Sequence, residues 1–137
     1  MSVGLLIITH EDIGATLLAA ATRMLGRCPL KADTLSITEE SERDRLRLRA
    51  LRMARRLDTG DGVLVLTDLF GSTPANIARS LGSNRDIRVL TGVNLPMLVR
   101  VLNYAALPLE EIAAKAESGG KDGVLLCPGE EPAKATP

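Results

Sequence analysis

Aromatic side chains are nearly absent from this 137-residue chain, which has one phenylalanine, one tyrosine and no tryptophan. Single-stranded nucleic acids are held largely by stacking on aromatic platforms, and Phe70 and Tyr104 alone are too few. Excess charge is missing too. Lysine plus arginine equals aspartate plus glutamate, 17 of each, so the chain lacks the field that a general polyanion binder needs. Histidine occurs once and cysteine twice. Cys28 and Cys127 lie far apart with no CxxC pair, so neither a metal nor another cofactor is expected. One disulfide stays open, with buried free thiols the preferred reading. No apolar run approaches membrane-spanning length, and "VGLLII" follows no basic leader or cleavage site. The expectation is a cytoplasmic protein with no nucleic-acid partner and no direct membrane insertion.

What is present alternates. Val3 to Thr9, "VGLLIIT", is a continuous apolar run of the kind that forms a strand buried on both faces. Ile13 to Leu25 reads as a helix closed by Gly26. Ala32 to Ile37 is a second strand. A long helix is expected to open at Ser41, with Asp44 at capping-box distance, and to end near Leu57. Gly62 to Asp68 gives a third strand, Ser72 to Leu81 a short helix, and Asp86 to Gly92 a fourth strand. Helices are expected at Pro96 to Tyr104 and Leu109 to Ser118, then a last strand at Asp122 to Cys127. Residues 1–127 are read as one domain and 128–137 as a polar, disordered tail. The predicted fold is an α/β, doubly wound, mostly parallel sheet with helices on both faces and an antiparallel last strand.

In such a sheet, ligand chemistry gathers at the carboxyl ends of the strands, where the strand order reverses. A 2-1-3-4 order brings three segments to that edge: Thr9-His10 after the first strand, Asp68 after the third, and Thr91, Gly92 and Asn94 after the fourth. Gly71 permits a tight turn, Ser72 or Thr73 can cap the next helix, and Pro74 suits its first turn. A helix start with free N–H groups and hydroxyls is a ready anion cradle. An imidazole beside a carboxylate and such a cradle suits phosphoryl transfer through a phosphohistidine. One ring nitrogen attacks phosphorus while the carboxylate accepts a hydrogen bond from the other.

The segments "GLLIITHEDIGATLLAAATRMLG", "GVLVLTDLFGSTPANIA" and "VLTGVNLPMLV" resemble the mannose-type enzyme IIA domains of the bacterial phosphoenolpyruvate-dependent phosphotransferase system. The likeness covers nearly the whole chain. It implies that His10 accepts a phosphoryl group from a histidine phosphocarrier protein and passes it to an enzyme IIB, with Asp68 as its partner. Gly71, Ser72 and Thr73 would then hold the phosphoryl group. The resemblance also implies a homodimer joined through the carboxy-terminal strand. Glu11 and Asp12 depart from the small or aromatic residues common after the family histidine and would repel phosphate unless turned away. Phe70 stands where an aromatic is common, as a docking contact or as a partly buried core residue. No enzyme IIB segment follows "PGEEPAKATP", which leaves a separate enzyme IIB or a regulatory target as acceptor.

Two other classes compete. A response-regulator receiver would use Asp68 as acceptor, with Glu11, Asp12 and Thr91 imitating its pattern, but Lys121 precedes the last strand instead of following it. A non-catalytic ligand-binding module would use the same edge without phosphorylating His10. The arginines from Arg43 to Arg56, beside Glu39, Glu40, Glu42 and Asp44, are read as a solvated helix face.

Overall fold

Strands that are apolar at every position must be covered on both sides, and helices cover this sheet on both sides. The computed structural model describes residues 2–39 and 42–130. Its elements are β1 (Gly4–His10), α1 (Ile13–Leu25), β2 (Ala32–Ile37), α2 (Arg43–Leu57), β3 (Val63–Thr67), α3 (Thr73–Ser80), β4 (Ile87–Leu90), α4 (Leu95–Asn103) and α5 (Leu109–Asp122). The sheet order is β2-β1-β3-β4 and every pairing is parallel. This is the expected doubly wound α/β fold with the expected strand order.

Alternation along β1 divides the core in two. Leu6 and Ile8 join Val63 and Val65 under α2 and α3. Leu5 and Ile7 join Leu64 and Leu66 under α1, α4 and α5. Each of these strand side chains is fully buried, and burying one such side chain is worth roughly 1.5–3 kcal/mol. Polar chemistry has no room inside the sheet. Register then decides what meets at the edge. Ile8 lies opposite Thr67, so His10 and Asp68 emerge beside each other from the two central strands.

Three expectations change. The second helix starts at Arg43 after Glu42, whose side chain makes no capping bond. Ser41 itself lies outside the described residues. The fifth helix continues past Ser118 through two glycines to Asp122. Close packing on α4 explains the glycines, because a Cβ at Gly119 would lie 2.8 Å from Arg100 Cβ and one at Gly120 2.8 Å from Met97 Cε. The expected antiparallel last strand is not formed. Asp122 ends α5, residues 124–130 carry no regular structure, and Val124, Leu125 and Leu126 are exposed. A strand needs a neighbour for its N–H and C=O groups, and this segment pairs with none of the four strands. Of the expected tail, residues 131–137 lie outside the described residues.

Among the described residues, one buried side-chain polar atom is left over. Thr67 is fully buried and its Oγ1 makes no hydrogen bond. An unpaired buried hydroxyl costs about 1–3 kcal/mol. Thr67→Val keeps the shape and removes that cost, so it should raise unfolding stability by roughly 1 kcal/mol, measured by urea denaturation. A loss of stability would mean that the hydroxyl has a partner.

Candidate functional site

His10 is the last residue of β1, and its backbone N–H points past the end of the ladder toward β3. There it donates to Asp68 Oδ2 at 2.9 Å. The ring returns to the same oxygen, with Nδ1 and Oδ2 2.8 Å apart. A second donor, the Leu69 N–H, reaches Oδ1 at 2.9 Å. Both carboxylate oxygens are therefore engaged, and only 14% of the Asp68 side chain is exposed against 44% for His10. Burial pushes the Asp68 carboxyl up, but the hydrogen bonds from His10 and Leu69 and the His10 charge outweigh it, leaving it below 3.8. An ionised carboxylate accepts and does not donate, so Nδ1 carries the proton, and in the neutral tautomer this leaves the lone pair on Nε2. Among the described residues no hydrogen bond occupies Nε2.

Asp68 is itself strapped from behind. Its carbonyl accepts the Gly92 N–H at 2.7 Å, and the Thr67 carbonyl accepts the Val93 N–H at 3.0 Å. The loop after β4 thus fixes the backbone that aims the carboxylate. Asn94 caps α4 by accepting from the Met97 N–H and donates to the Gly120 carbonyl. Thr91, Gly92 and Asn94 line a different cleft, between β4 and α5, together with Val124. Thr9, also expected at the site, is buried and accepts from the Gly14 N–H at 2.8 Å, holding the start of α1.

The cleft that contains His10 has a volume of about 400 Å³ and is lined by Glu11, Thr38, Glu39, Arg43, Thr73 and Pro74, among others. Of the expected cradle, Thr73 reaches this lining, while Gly71 and Ser72 do not. Gly71 turns the chain with φ 86°. The Ser72 hydroxyl donates to Leu69 O at 2.6 Å and accepts from the Ala75 N–H at 3.5 Å, capping α3. The two acids after His10 part company. Asp12 accepts from the Ser36 hydroxyl on β2, whereas Glu11 lines the cleft, held in the left-handed region at φ 46°. That conformation costs a side-chain-bearing residue about 1–2 kcal/mol.

Sequence pattern does not single out Arg43, because it stands among the arginines of a charged helix face. Its Nη2 donates to Thr73 Oγ1 at 3.4 Å. The available signal was its place at the first turn of a helix, where the macrodipole disfavours a cation. Phe70 is not a core residue: it and Leu69 are 67% and 64% exposed, with Arg79 stacked 5.1 Å from the ring. Lys121 pairs with Glu117 within α5. Cys28 and Cys127 are free, but Cys28 is only half-buried and Cys127 is exposed, so neither is the buried thiol expected. Among the described residues, no cluster of three or more His, Cys, Asp or Glu could hold a metal ion, and no helix is long and apolar enough to cross a membrane.

Comparison with known proteins places this geometry in context. The family model described as "PTS system fructose IIA component" (EIIA-man) matches residues 4–117. The mannose-specific EIIAB component of the Escherichia coli phosphotransferase system is 29% identical over 140 residues. That alignment takes in 100% of this chain and 43% of the relative, so the chain spans less than half the relative's length. The solved mannose/sorbose-specific IIA subunit of Enterococcus faecalis superposes with a TM-score of 0.84 at 25% identity, covering 97% of this chain and 100% of that one. A IIA protein associated with the fucose utilization operon of Streptococcus pneumoniae gives 0.72 at 27% identity, covering 86% and 93%.

The hydrogen bonds to Asp68 make a pH prediction. Its folded pKa lies below its unfolded value, so its stabilisation is complete above about pH 4 and is lost as pH falls through the lower folded pKa. Asp68→Asn should therefore lower stability at pH 7 and flatten the acid limb of the stability–pH curve below about pH 4, measured by urea denaturation. An unchanged acid limb would mean that other carboxylates set it.

Proposed function

The chain belongs to the EIIA-man family, the PTS system fructose IIA component, and from that premise we propose that it carries a phosphoryl group on His10 Nε2. The observation that carries this reading is the 2.8 Å bond from Nδ1 to Asp68. It fixes the tautomer, leaves the lone pair on Nε2 and meets the positive charge that grows as Nε2 bonds to phosphorus. The donor is a histidine phosphocarrier protein. Its P–N bond breaks as the Nε2–P bond forms, and the departing donor imidazole keeps the electron pair and takes up a proton. The hydroxyl of Thr73, the residue at the start of α3 that lines the cleft with His10, would meet a phosphoryl oxygen. The acceptor is an enzyme IIB or a regulatory target, and the exposed Leu69–Phe70 tip is the docking contact beside the histidine. The chemistry needs no metal.

The receiver reading is weaker. Both Asp68 oxygens are committed to N–H donors, and Lys121 sits on α5 paired with Glu117. A binding module without transfer would have no use for an imidazole held in one tautomer.

The same reading includes a homodimer. Val124, Leu125 and Leu126 are exposed in a row, and Val124 lies in the cleft beside Val89 and Leu90 of β4, one of the two edge strands of the sheet. A second copy would supply the strand neighbour that this segment lacks.

Two experiments test these proposals. With enzyme I, phosphocarrier protein and labelled phosphoenolpyruvate, His10→Ala should abolish labelling and keep its circular dichroism spectrum. Asp68→Ala should slow labelling by about 10–10⁴-fold. Hydroxylamine-labile phosphate on Asp68 would favour the receiver reading. For assembly, truncation after Gly123 should convert a dimer to a monomer in sedimentation at micromolar concentration; a full-length monomer would remove the dimer from the proposal.

A further inference from the structure

We propose that Arg43 is a phosphoryl-binding residue, swinging from Thr73 onto the phosphoryl group held by His10. The proposal rests on the phosphohistidine reading above and adds a cation to it. Four observations carry it. Arg43 lines the same cleft as His10 and Thr73. Among the described residues of that lining it alone bears a permanent positive charge, against two acids, Glu11 and Glu39. A phosphoryl group adds about two further negative charges near neutral pH, so without Arg43 the fixed charges among the described lining residues of the loaded cleft would all be negative.

The contact that now holds Arg43 is also easily given up. Its bond to Thr73 Oγ1 is 3.4 Å long and exposed, using one N–H of a guanidinium that has five to offer. A planar fork of this kind matches phosphoryl oxygens two at a time. Finally, helix stability does not account for arginine at this place. Arg43 is the first residue of α2, where the macrodipole opposes a cation, whereas Arg55 and Arg56 occupy the favourable last turn.

In transfer, Arg43 makes and breaks no covalent bond. The Nε2–P bond forms and the donor's P–N bond breaks as described above, while the guanidinium hydrogen bonds pass from Thr73 to the phosphoryl oxygens. Its effect should be greatest on the loaded state, slowing hydrolysis of phosphohistidine and speeding its formation.

The full-length protein, Arg43→Ala and Arg43→Lys should be compared with two donors, the phosphocarrier protein and phosphoramidate, a small molecule with no docking surface. Label on His10 is followed by ³¹P NMR and mass spectrometry, with circular dichroism as a check on folding. The expected result is a tenfold or greater slowing of Arg43→Ala with both donors and a shorter phosphohistidine lifetime, with Arg43→Lys in between. Wild-type rates for Arg43→Ala with both donors would overturn the proposal. A defect confined to the protein donor would also overturn it, because Arg43 would then serve docking. Absence of label on wild-type His10 from either donor would instead sink the phosphohistidine reading and this proposal along with it.

Discussion

Asp68 Oδ2 accepts two hydrogen bonds from one residue, the main-chain N–H and the ring of His10, and the site depends on that pairing. The main-chain bond ties the end of β1 to the residue following β3, which fixes where the imidazole is rooted. The side-chain bond fixes which way the ring faces and which nitrogen is protonated. A carboxylate this buried is costly unless its oxygens are satisfied, and the Leu69 N–H completes the set at Oδ1. The loop after β4 then holds the Asp68 carbonyl through the Gly92 N–H. The ends of three neighbouring parallel strands, β1, β3 and β4, thus converge on one residue.

That convergence follows from the sheet being apolar on both faces. With Leu5, Leu6, Ile7 and Ile8 all fully buried, the only places for polar chemistry on the central strands are their ends. Parallel pairing puts all the carboxyl ends on one side. The polar residues at that edge then share out the work. Thr9 and Asn94 hold helix starts, Ser72 caps α3, and Asp68 holds the imidazole. Residues expected to line one pocket instead stiffen the frame around it.

The central strands were legible because their signal is local. Continuous apolar runs marked β1 and β3 to within a residue, the shorter mixed segment "ADTLSI" gave β2, and α1 matched at both ends. His10 and Asp68 followed from topology, since strand order alone brings their strand ends together. Features that depend on a tertiary partner were less visible. "SGGKD" reads as a helix stop, yet Gly119 and Gly120 stay helical because α4 passes too closely for larger side chains. "DGVLLC" reads as a strand, but strand formation requires a neighbour, and the chain alone supplies none. Arg43 disappeared among the other arginines of its helix, because periodicity reports a helix face and not what lies beyond its first turn.

Net charge is a poor guide to this site for a related reason. The chain is neutral as a whole, yet the His10 cleft gathers Glu11, Glu39 and Arg43 within one small volume. Screening in water limits distant charges to a reach of about 8–10 Å, so the balance over the rest of the surface contributes little there. Asp12 is drawn off toward Ser36, while Glu11 stays in the cleft despite its left-handed backbone. A carrier must take up a phosphoryl group and also let it go. Surrounding the histidine with cations alone would favour capture and hinder release. If His10 carries a phosphoryl group as proposed, an arginine offset by two carboxylates would keep the loaded and empty states closer in free energy, which suits reversible transfer better than tight retention.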